Sequence, residues 1–292
     1  MRIVIFGAHG QVGEALTRTL AAHIPVTIDR SMADLQDSSA IQRVLSSYRP
    51  EVIINAAAYT AVDKAETDRD SALAVNAIAP ETMAEWASAH NALLVHYSTD
   101  YVFDGSGLAA RDEAAPTRPL SVYGATKLEG EERIQRSGCQ HLILRTSWVY
   151  AARSHNFLRT MLRLAVERES LSVVDDQVGV PTSAAWLAEV TSQVIPQALA
   201  NPALRGLYHC VPRGETTWFE FARLAIEEAR RLGLPVRVVP EAIRAIATAD
   251  YPTPARRPLN SRLSTQKLQQ AFGIVPPDWQ TAVRETVSQI VQ

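Results

Sequence analysis

Short apolar runs alternate with longer amphipathic stretches through the first half of the chain. The runs are continuous and rich in Val, Ile and Leu, as is typical of strands buried on both faces of a parallel sheet. They lie at residues 2–6, 26–28, 52–54, 92–97 and 141–144. Apolar residues at helical spacing fill the intervals, most clearly at 14–20 and 72–90. This alternation predicts an α/β fold with a Rossmann-type, doubly wound parallel sheet.

The pattern is less regular after residue 150, where the predicted elements are shorter and mixed. Strands are predicted at 171–174, 206–210 and 236–239, helices at 156–169, 183–199, 216–232, 265–272 and 277–291, and a proline-rich loop at 251–262. We therefore expect a first domain over residues 1–150 and a smaller C-terminal lobe over 151–292. The lobe is expected to be interleaved, with some of its segments returning to the sheet.

Composition and charge narrow the class of protein. The chain has 292 residues, 47% of them hydrophobic, and a formal net charge of -2. This balance gives no basic surplus that would favour a nucleic-acid or membrane partner. No apolar run reaches membrane-spanning length, and the N-terminal run is too short for a signal peptide. Cys139 and Cys210 are far apart and lack metal-ligand spacing, so we expect reduced thiols, no metal site in the sequence, and a cytoplasmic protein.

A glycine-rich loop joins the first strand to the first helix. Its glycines, Gly7, Gly10 and Gly13, are spaced G-x-x-G-x-x-G rather than G-x-G-x-x-G. The first allows a tight turn, the second lets backbone approach a pyrophosphate, and the third lets helix and strand pack closely. The free N–H groups and the positive dipole end of the helix then face the phosphates. This context favours a dinucleotide site over a plain turn, so we assign dinucleotide binding to residues 1–150.

An acidic residue ends the second strand. Asp29 lies near the expected ~20 residues beyond the loop, where a carboxylate binds the adenine ribose hydroxyls and favours NAD. Arg30 follows it and can meet a 2′-phosphate, so the pair indicates no preference between NADH and NADPH. Asp34 and Leu35 are expected near the adenine, although Asp34 or Asp37 can equally cap the next helix.

Small and hydroxyl side chains follow two later strands. Residues 55–60 are mostly small, which leaves room for a ligand at the carboxyl edge of the sheet. Ser98 and Thr99 end the fourth predicted strand. A hydroxyl at that edge can share a substrate oxygen and stabilise charge that develops on it, although Thr99 is also an ordinary β-branched strand residue.

Tyr123 and Lys127 lie four residues apart, which on a helix places both side chains on one face. A phenol has a pKa near ~10, too high for acid–base work at neutral pH. An ammonium group beside it favours the phenolate and lowers that pKa, and the same lysine can bind ribose hydroxyls. We therefore expect Tyr123, Lys127 and Thr99 to form a proton-donating set. A surface tyrosine beside a solvated lysine is the alternative.

The order of these motifs resembles the extended short-chain dehydrogenase/reductase superfamily and, more narrowly, the dTDP-4-dehydrorhamnose reductase family. The narrow resemblance is carried by residues 7–13, 55–66, 96–103, 123–127, 145–150, 156–157, 176–177, 181–182 and 251–263. It implies reduction by NADPH or NADH of the C4 ketone of dTDP-4-dehydro-L-rhamnose to dTDP-L-rhamnose, a polysaccharide precursor. The small-molecule partner would then be a dTDP-sugar, bound by the lobe over residues 151–292.

The resemblance also implies roles for individual residues. Cofactor contacts transfer to Gly10, Gln11, Val12, Asp29, Asp34, Leu35, Ala58, Tyr59 and Thr60; the proton donor and its partner to Tyr123 and Lys127; and substrate contacts to Thr99, Asp100, Tyr123 and Trp148. Two departures are the pair Ala8 and His9, which replaces a polar or charged pair, and Tyr59, where some relatives have histidine.

Trp148 follows an apolar strand, so it lies at the same sheet edge, and its aromatic face suits the C–H surface of a deoxysugar. A purely core role is the alternative. Trp218, in contrast, falls on an apolar helical stripe that predicts core packing. Arg256, Arg257 and Arg262 cluster in the proline-rich loop and can bind a diphosphate, or can be solvated surface charges.

Two other functions stay open on sequence grounds. One is a nucleotide-sugar epimerase or dehydratase of the same superfamily, although the Asp-Tyr after Thr99 does not supply the Asp-Glu pair expected of a dehydratase. The other is a non-catalytic, NADP-binding regulatory subunit of methionine adenosyltransferase, against which the intact Thr99, Tyr123 and Lys127 set argues. Some relatives form a homodimer through a metal ion, which makes Mg²⁺ at a dimer interface a further expectation, but the sequence shows no ligand set for it.

Overall fold

A computed structural model describes all residues from Met1 to Gln292. Its strands are β1 (Ile3–Phe6), β2 (Val26–Ile28), β3 (Val52–Asn55), β4 (Leu93–Thr99), β5 (Gln140–Thr146), β6 (Val149–Tyr150), β7 (Leu171–Val174), β8 (Val178–Gly179), β9 (Thr182–Ser183), β10 (Gly206–His209), β11 (Thr216–Thr217) and β12 (Ile243–Ile246). Its α-helices are α1 (Gln11–Thr19), α2 (Ser38–Tyr48), α3 (Val62–Ala65), α4 (Arg69–Leu73), α5 (Ala79–His90), α6 (Val122–Arg136), α7 (Phe157–Glu167), α8 (Ala184–Ala200), α9 (Trp218–Arg231), α10 (Gln266–Phe272) and α11 (Trp279–Val291).

Six strands form a parallel sheet in the order β10-β5-β4-β3-β1-β2. The chain moves outward from β1 to β2, then returns to the other side of β1 with β3. In such a sheet, ligands bind outside the carboxyl ends of the strands where the order reverses. Phe6 and Asn55 are paired there, at the ends of β1 and β3. The predicted Rossmann-type fold is confirmed.

Helices cover both faces of the sheet because alternate strand residues point to opposite sides. Ile3 and Ile5 pack under α1 and α8, whereas Val4 and Phe6 pack under α2 and α5. The α8 helix and β10 come from the second half of the chain, yet their apolar residues complete the first of these two cores.

The C-terminal part builds a separate apolar cluster from α7, α9 and α11. Three two-stranded sheets lie in this part: β12 with β7, β11 with β8, and β6 with β9. The strand predicted at residues 236–239 is wrong, because the strand that pairs with β7 is Ile243–Ile246. Arg237 and Val238 instead donate their backbone N–H groups to the Ala165 carbonyl. The division at residue 150 stays a prediction.

Three helices of the second half begin after a side-chain cap, and two of these caps, Asn156 and Ser183, are the residues at which the helices were predicted to begin. Side chains of Asn156, Ser183 and Thr217 accept backbone N–H groups of α7, α8 and α9, so each helix begins one residue later than its cap. The helix predicted over residues 72–90 is interrupted by a π-helical segment, Ala74–Ile78, which joins α4 to α5. Such segments are frequent at functional sites.

No helix has both the length and the apolar composition needed to cross a membrane. Cys139 and Cys210 are buried free thiols.

Candidate active site

The glycine loop is held in a tight turn between β1 and α1. Gly7 has a φ of +78°, and a Cβ there would lie 2.6 Å from the Ala57 backbone nitrogen. A Cβ on Gly13 would lie 2.1 Å from the Gly7 carbonyl oxygen, so this glycine permits close helix–strand packing. No side chain caps α1 at Gly10, and its first N–H groups stay available to an anion. The loop therefore fits a pyrophosphate.

A cleft of about 550 Å³ opens beside this loop, at the ends of β1 and β2. It brings together eight predicted cofactor residues: Gly7, Gly10, Asp29, Arg30, Asp34, Leu35, Ala58 and Tyr59. The same cleft is lined by His9, Ala33, Gln36 and Lys64 among others. Its size and mixed lining suit the adenosine end of a dinucleotide.

Other predicted cofactor residues lie outside that cleft. The Gln11 amide accepts a hydrogen bond from Asn156 Nδ2 at 2.9 Å and faces a second cavity on the other side of α1. Val12 packs against the core of the sheet, and Thr60 is exposed. The cofactor roles of Gln11, Val12 and Thr60 stay predictions, and Gln11 and Val12 begin the helix whose first backbone N–H groups face the loop.

The acidic residues of the cleft are held by local hydrogen bonds. Asp29 Oδ1 accepts from the Ser31 hydroxyl at 2.6 Å and from the backbone N–H groups of Ser31 and Met32. These bonds, the Ser31 hydroxyl foremost, lower the pKa of Asp29. Asp34 accepts from the Gln36 N–H, which lowers its pKa, and pairs with Arg30 at 3.1 Å. Asp37, not Asp34, caps α2.

Asn76 in the π-helical segment connects the cleft to α6. Its Oδ1 accepts from the Tyr59 N–H at 2.8 Å, while its Nδ2 donates to the Tyr59 carbonyl and to the Thr126 hydroxyl. Tyr59 donates its own hydroxyl to Asp68 Oδ2 at 2.9 Å. Asn76 was not predicted from the sequence. The signal that would have indicated it is a buried polar residue within an otherwise apolar helical stretch.

Tyr123 lies in the first turn of α6, which begins at Val122 because the Ser121 hydroxyl accepts the Gly124 N–H. A Cβ on Gly124 would lie 2.2 Å from the Tyr101 carbonyl oxygen, so this glycine lets α6 approach the segment after β4. The rings of Tyr101 and Tyr123 meet edge to face at 5.5 Å. The predicted helix thus presents the phenol at the carboxyl edge of the sheet.

Burial raises the pKa of Tyr123 to about 12, the Thr99 hydroxyl opposes this rise, and the Asp100 charge adds to it. Thr99 donates to Asp100 Oδ1 at 3.1 Å and accepts the Tyr101 N–H. The structure therefore brings Thr99, Asp100 and Tyr123 together, with the phenol held protonated and able to donate.

Lys127 contacts other groups than the Tyr123 phenol, contrary to the expectation from its spacing in the sequence. Its Nζ donates to the Tyr97 carbonyl at 2.6 Å and lies 3.1 Å from His96 Nε2, so it faces β4 and no hydrogen bond joins it to the phenol. Burial lowers the pKa of Lys127 to about 8, against the charge of Glu131. The expected lowering of the Tyr123 pKa by an adjacent ammonium is wrong, because desolvation dominates both groups.

Asp100 is a carboxyl group buried from solvent. It is 1% exposed, and Oδ2 has no hydrogen-bond partner. Burial raises the pKa of its carboxyl to about 6, against hydrogen bonds from Ser261 and Thr99. A buried carboxyl oxygen without a close hydrogen-bond partner is uncommon, which supports Asp100 as a candidate site residue at this edge.

Trp148 lies in a strained backbone conformation, with a φ of +48°. Its ring stacks on Trp218 at 3.8 Å, and Gly179 leaves room for it, since a Cβ there would lie 3.0 Å from the indole. Trp218 donates its Nε1–H to Gln177 at 3.1 Å and is only partly buried, so the predicted core role does not describe it fully. An aromatic pair, rather than one tryptophan, borders this side of the site.

The clustered arginines differ in their contacts. Arg257 pairs with Asp63 at 2.8 Å and ties the proline-rich loop to α3, while Arg262 pairs with Glu215 at 2.6 Å. Arg256 forms no ion pair within 4.0 Å and is exposed. The diphosphate role stays a prediction, and Arg256 is the arginine with no competing carboxylate.

The chain brings together no group of three or more His, Cys, Asp or Glu side chains that could hold a metal ion. A magnesium ion accordingly finds no support within the chain, and we derive no step through one.

Comparison with known proteins assigns the family. The model of the family described as RmlD substrate binding domain matches residues 1–292. The chain is 46% identical to the dTDP-4-dehydrorhamnose reductase of Escherichia coli (strain K12), over 99% of this chain and 98% of that protein. The crystal structure of a dTDP-4-dehydrorhamnose reductase from Clostridium acetobutylicum superposes with a TM-score of 0.91 at 34% identity, covering 100% of both chains.

A second similar structure was solved with a bound cofactor. The dTDP-4-dehydrorhamnose reductase of Bacillus anthracis, solved in complex with NADP, has a TM-score of 0.91 and 34% identity, with 99% of each chain covered. These matches cover the whole chain and agree with the resemblance drawn from its motifs. The chain therefore belongs to the RmlD substrate binding domain family, alongside curated dTDP-4-dehydrorhamnose reductases.

Proposed function

We propose that this protein reduces the C4 ketone of dTDP-4-dehydro-L-rhamnose to dTDP-L-rhamnose with NADPH or NADH. The observation that carries the proposal is the meeting of Tyr123, Thr99 and Asp100 beside a glycine loop and cleft that fit a dinucleotide. Support from the family is its curated members of this name and the NADP complex of one of them.

Different residues of the loop and the cleft would bind different parts of the dinucleotide. Gly7, Gly10 and the first N–H groups of α1 would hold the pyrophosphate. Asp29 Oδ2, which contacts only His9 Nε2 at 3.4 Å, would accept a ribose hydroxyl. The nicotinamide supplies a hydride when it is bound.

At the ketone, Tyr123 would give its proton to the C4 oxygen as that oxygen gains charge. A protonated phenol suits this role, since the acid must carry its proton into the reaction. Thr99 would hydrogen-bond the same oxygen, and Asp100 Oδ2 would accept a sugar hydroxyl. Trp148, stacked on Trp218, would cover the C–H face of the deoxysugar. Solvent then returns a proton to Tyr123.

The test is a stoichiometric assay. Purified protein is mixed with dTDP-4-dehydro-L-rhamnose and NADPH or NADH, the nicotinamide absorbance is followed, and the sugar product is identified by NMR. We expect one cofactor oxidised for each dTDP-L-rhamnose formed. Turnover without net cofactor oxidation would indicate an epimerase or a dehydratase. Binding of NADPH without any turnover would contradict an enzymatic role and favour a regulatory one.

A further inference from the structure

The short segment around β8 contacts both tryptophans of the stacked pair. Gln177 Oε1 accepts the indole N–H of Trp218 at 3.1 Å. Two residues later, Gly179 lies against Trp148, since a Cβ there would be 3.0 Å from the indole. At the far end of the segment, Thr182 donates its backbone N–H to the Trp148 carbonyl. One stretch of chain therefore determines the positions of both rings.

The hydrogen bonds at Gln177 have a fixed direction. An indole N–H can only donate, so it is the amide oxygen of Gln177 that faces Trp218. The amide nitrogen, Nε2, then donates to the Thr248 hydroxyl oxygen at 3.0 Å. That hydroxyl donates its own hydrogen to Asp176 Oδ1 at 2.5 Å, and a carboxylate can only accept. A one-way row of hydrogen bonds thus runs from Trp218 through Gln177 and Thr248 to Asp176.

Burial and backbone contacts keep the Gln177 amide in this orientation. Gln177 is 6% exposed, so an amide that turned over would leave buried polar groups without partners. Thr248 cannot follow such a turn, because its backbone N–H lies 2.9 Å from both carboxylate oxygens of Asp176. Gln177 is therefore a rigid acceptor for the indole of Trp218.

The other contacts of the Trp218 ring are between aromatic faces. Its centroid lies 3.8 Å from that of Trp148, with 17° between the two planes, and 4.5 Å from that of Phe157. Such contacts set the spacing of the rings but allow one ring to slide over another. The bond from the indole N–H to Gln177 is the directional contact that fixes where Trp218 lies along the face of Trp148.

Trp148 depends on this support because little else holds its ring. The residue is only partly buried, and its backbone has a φ of +48°. We propose that Gln177 is a positioning residue for sugar recognition, which holds Trp218 against Trp148 and so sets the aromatic face that the deoxysugar meets. The proposal rests on the proposed reductase function, in which Trp148 covers the C–H surface of the sugar.

A loss of this support should change KM rather than kcat. The aromatic face contacts the same C–H surface before and during hydride transfer, so it contributes uniform binding to both states. The reacting oxygen is served by Tyr123 and Thr99, which make no hydrogen bond to Gln177. Dinucleotide binding should also be unaffected, because Gln177 and both tryptophans lie outside the cofactor cleft.

Gln177→Met tests the role directly, since methionine has a similar length but neither donates nor accepts through an amide. We expect the Trp218 indole N–H, followed by ¹H–¹⁵N NMR, to exchange with solvent faster than in the native protein. Calorimetry should show a Kd for dTDP-L-rhamnose that is about 3- to 10-fold higher, the range for an aromatic pair contact. KM should rise by the same factor, whereas kcat and the Kd values of dTDP and NADPH should stay within about twofold.

A double-mutant cycle tests whether Gln177 acts through Trp218. Trp218→Phe keeps an aromatic ring on Trp148 but removes the indole N–H. Adding Gln177→Met to Trp218→Phe should then raise the Kd of dTDP-L-rhamnose by less than about twofold, because the shared bond is already absent. Thr217→Ala is the matched control: it removes the cap of α9 but leaves the bond between Gln177 and Trp218 in place. It should lower stability in urea unfolding and leave sugar affinity unchanged.

Several outcomes would overturn the proposal. These are an unchanged affinity for dTDP-L-rhamnose in folded Gln177→Met, full additivity in the cycle, and an equal loss of affinity in Thr217→Ala, which would indicate general loosening of α9. Circular dichroism checks that each variant is folded. Failure of the native protein to oxidise NADPH or NADH would instead refute the proposed activity, whereas the exchange and sugar-binding measurements need no turnover. Failure of the native protein to bind dTDP-L-rhamnose would overturn the positioning role itself.

Discussion

The adenosine cleft and the region of Thr99, Asp100, Tyr123 and Lys127, here called the Tyr123 end, lie at the same edge of one sheet. They differ in how their charged groups are surrounded. In the cleft, Asp29 and Asp34 are partly exposed and are surrounded by N–H and O–H donors from their own turns. At the other end, Asp100 and Lys127 are buried and each lacks an opposite charge in contact. Hydrogen bonds lower the pKa values in the cleft, whereas burial dominates at the Tyr123 end.

Because of this difference, cofactor binding and catalytic turnover should respond differently to pH. Carboxylates with lowered pKa values keep their charge through neutral pH, so the cleft presents one electrostatic state. Asp100 and Lys127, whose pKa values lie at about 6 and about 8, change state on either side of neutrality. We therefore expect pH to alter turnover more than cofactor affinity.

The largest effect should come from Tyr123→Phe, which breaks the Tyr123 end alone. Loss of the proton donor should reduce kcat by about 10³-fold, within the range for general acid catalysis. Cofactor affinity, measured by fluorescence titration, should stay within about twofold, since Tyr123 lies outside the cleft. Normal turnover in this variant would remove Tyr123 from the mechanism.

Gly13→Ala should break the cleft end instead. The new Cβ would meet the Gly7 carbonyl oxygen at 2.1 Å, so the loop and α1 must separate. We expect a loss of about 3 kcal/mol in the free energy of unfolding, as for severe overpacking. Gly10→Ala is the matched control, because its Cβ would lie 3.3 Å from the same oxygen. Equal stability of the two variants in urea unfolding would contradict this packing role.

Asp100→Asn tests whether burial of Asp100 makes the stability of the protein depend on pH. The folded-state pKa of about 6 exceeds the reference value of 3.8, so the folded protein retains this proton while the unfolded chain has lost it. The contribution to stability is complete below pH 3.8 and is lost as pH rises through about 6. Relative to Asp100→Asn, the native protein should lose about 3 kcal/mol over that window. Parallel stability curves for the two proteins would show that Asp100 titrates normally.

Asn76→Ala tests how far the two ends are coupled. The Tyr59 N–H and carbonyl would lose their partner, at about 1–2 kcal/mol because Tyr59 is partly exposed to water. Both cofactor affinity and kcat should fall, since Asn76 joins the Tyr59 loop to α6. Thr126→Val is the comparison variant: it removes one of the three Asn76 bonds and the bond from the Thr126 hydroxyl to the Tyr123 carbonyl, but leaves both Tyr59 bonds in place. A change in affinity with no change in kcat would show that the ends are independent.

Local patterns were sufficient to predict the sheet and most of its helices. Continuous apolar runs predicted β1, β3 and β4, and the Tyr-x-x-x-Lys spacing placed two side chains on one face of α6. The missed strand β12 shows the limit: Ile243–Ile246 has two exposed residues and is specified by its pairing with β7. Such pairing depends on tertiary context rather than on propensity.

The site was predictable in its residues but less so in its electrostatics. The sequence placed Lys127 and Tyr123 together, yet it could not reveal that Lys127 contacts His96 and donates to the Tyr97 carbonyl rather than to the phenol. Asn76 and Trp218 were missed for a similar reason, because their partners are distant in sequence. Burial and long-range hydrogen bonds, which set the pKa values, are properties of the assembled fold.

The position of β10 has a consequence for how the protein is made. During synthesis, β5 emerges well before β10, so it forms an exposed sheet edge until residues 206–209 arrive. The face that α8 later covers is open over the same interval. An exposed edge beside an uncovered apolar face is a site for aggregation. A nascent chain stopped at residue 150 should accordingly bind holdase chaperones, and the full chain should be released only after β10 has paired.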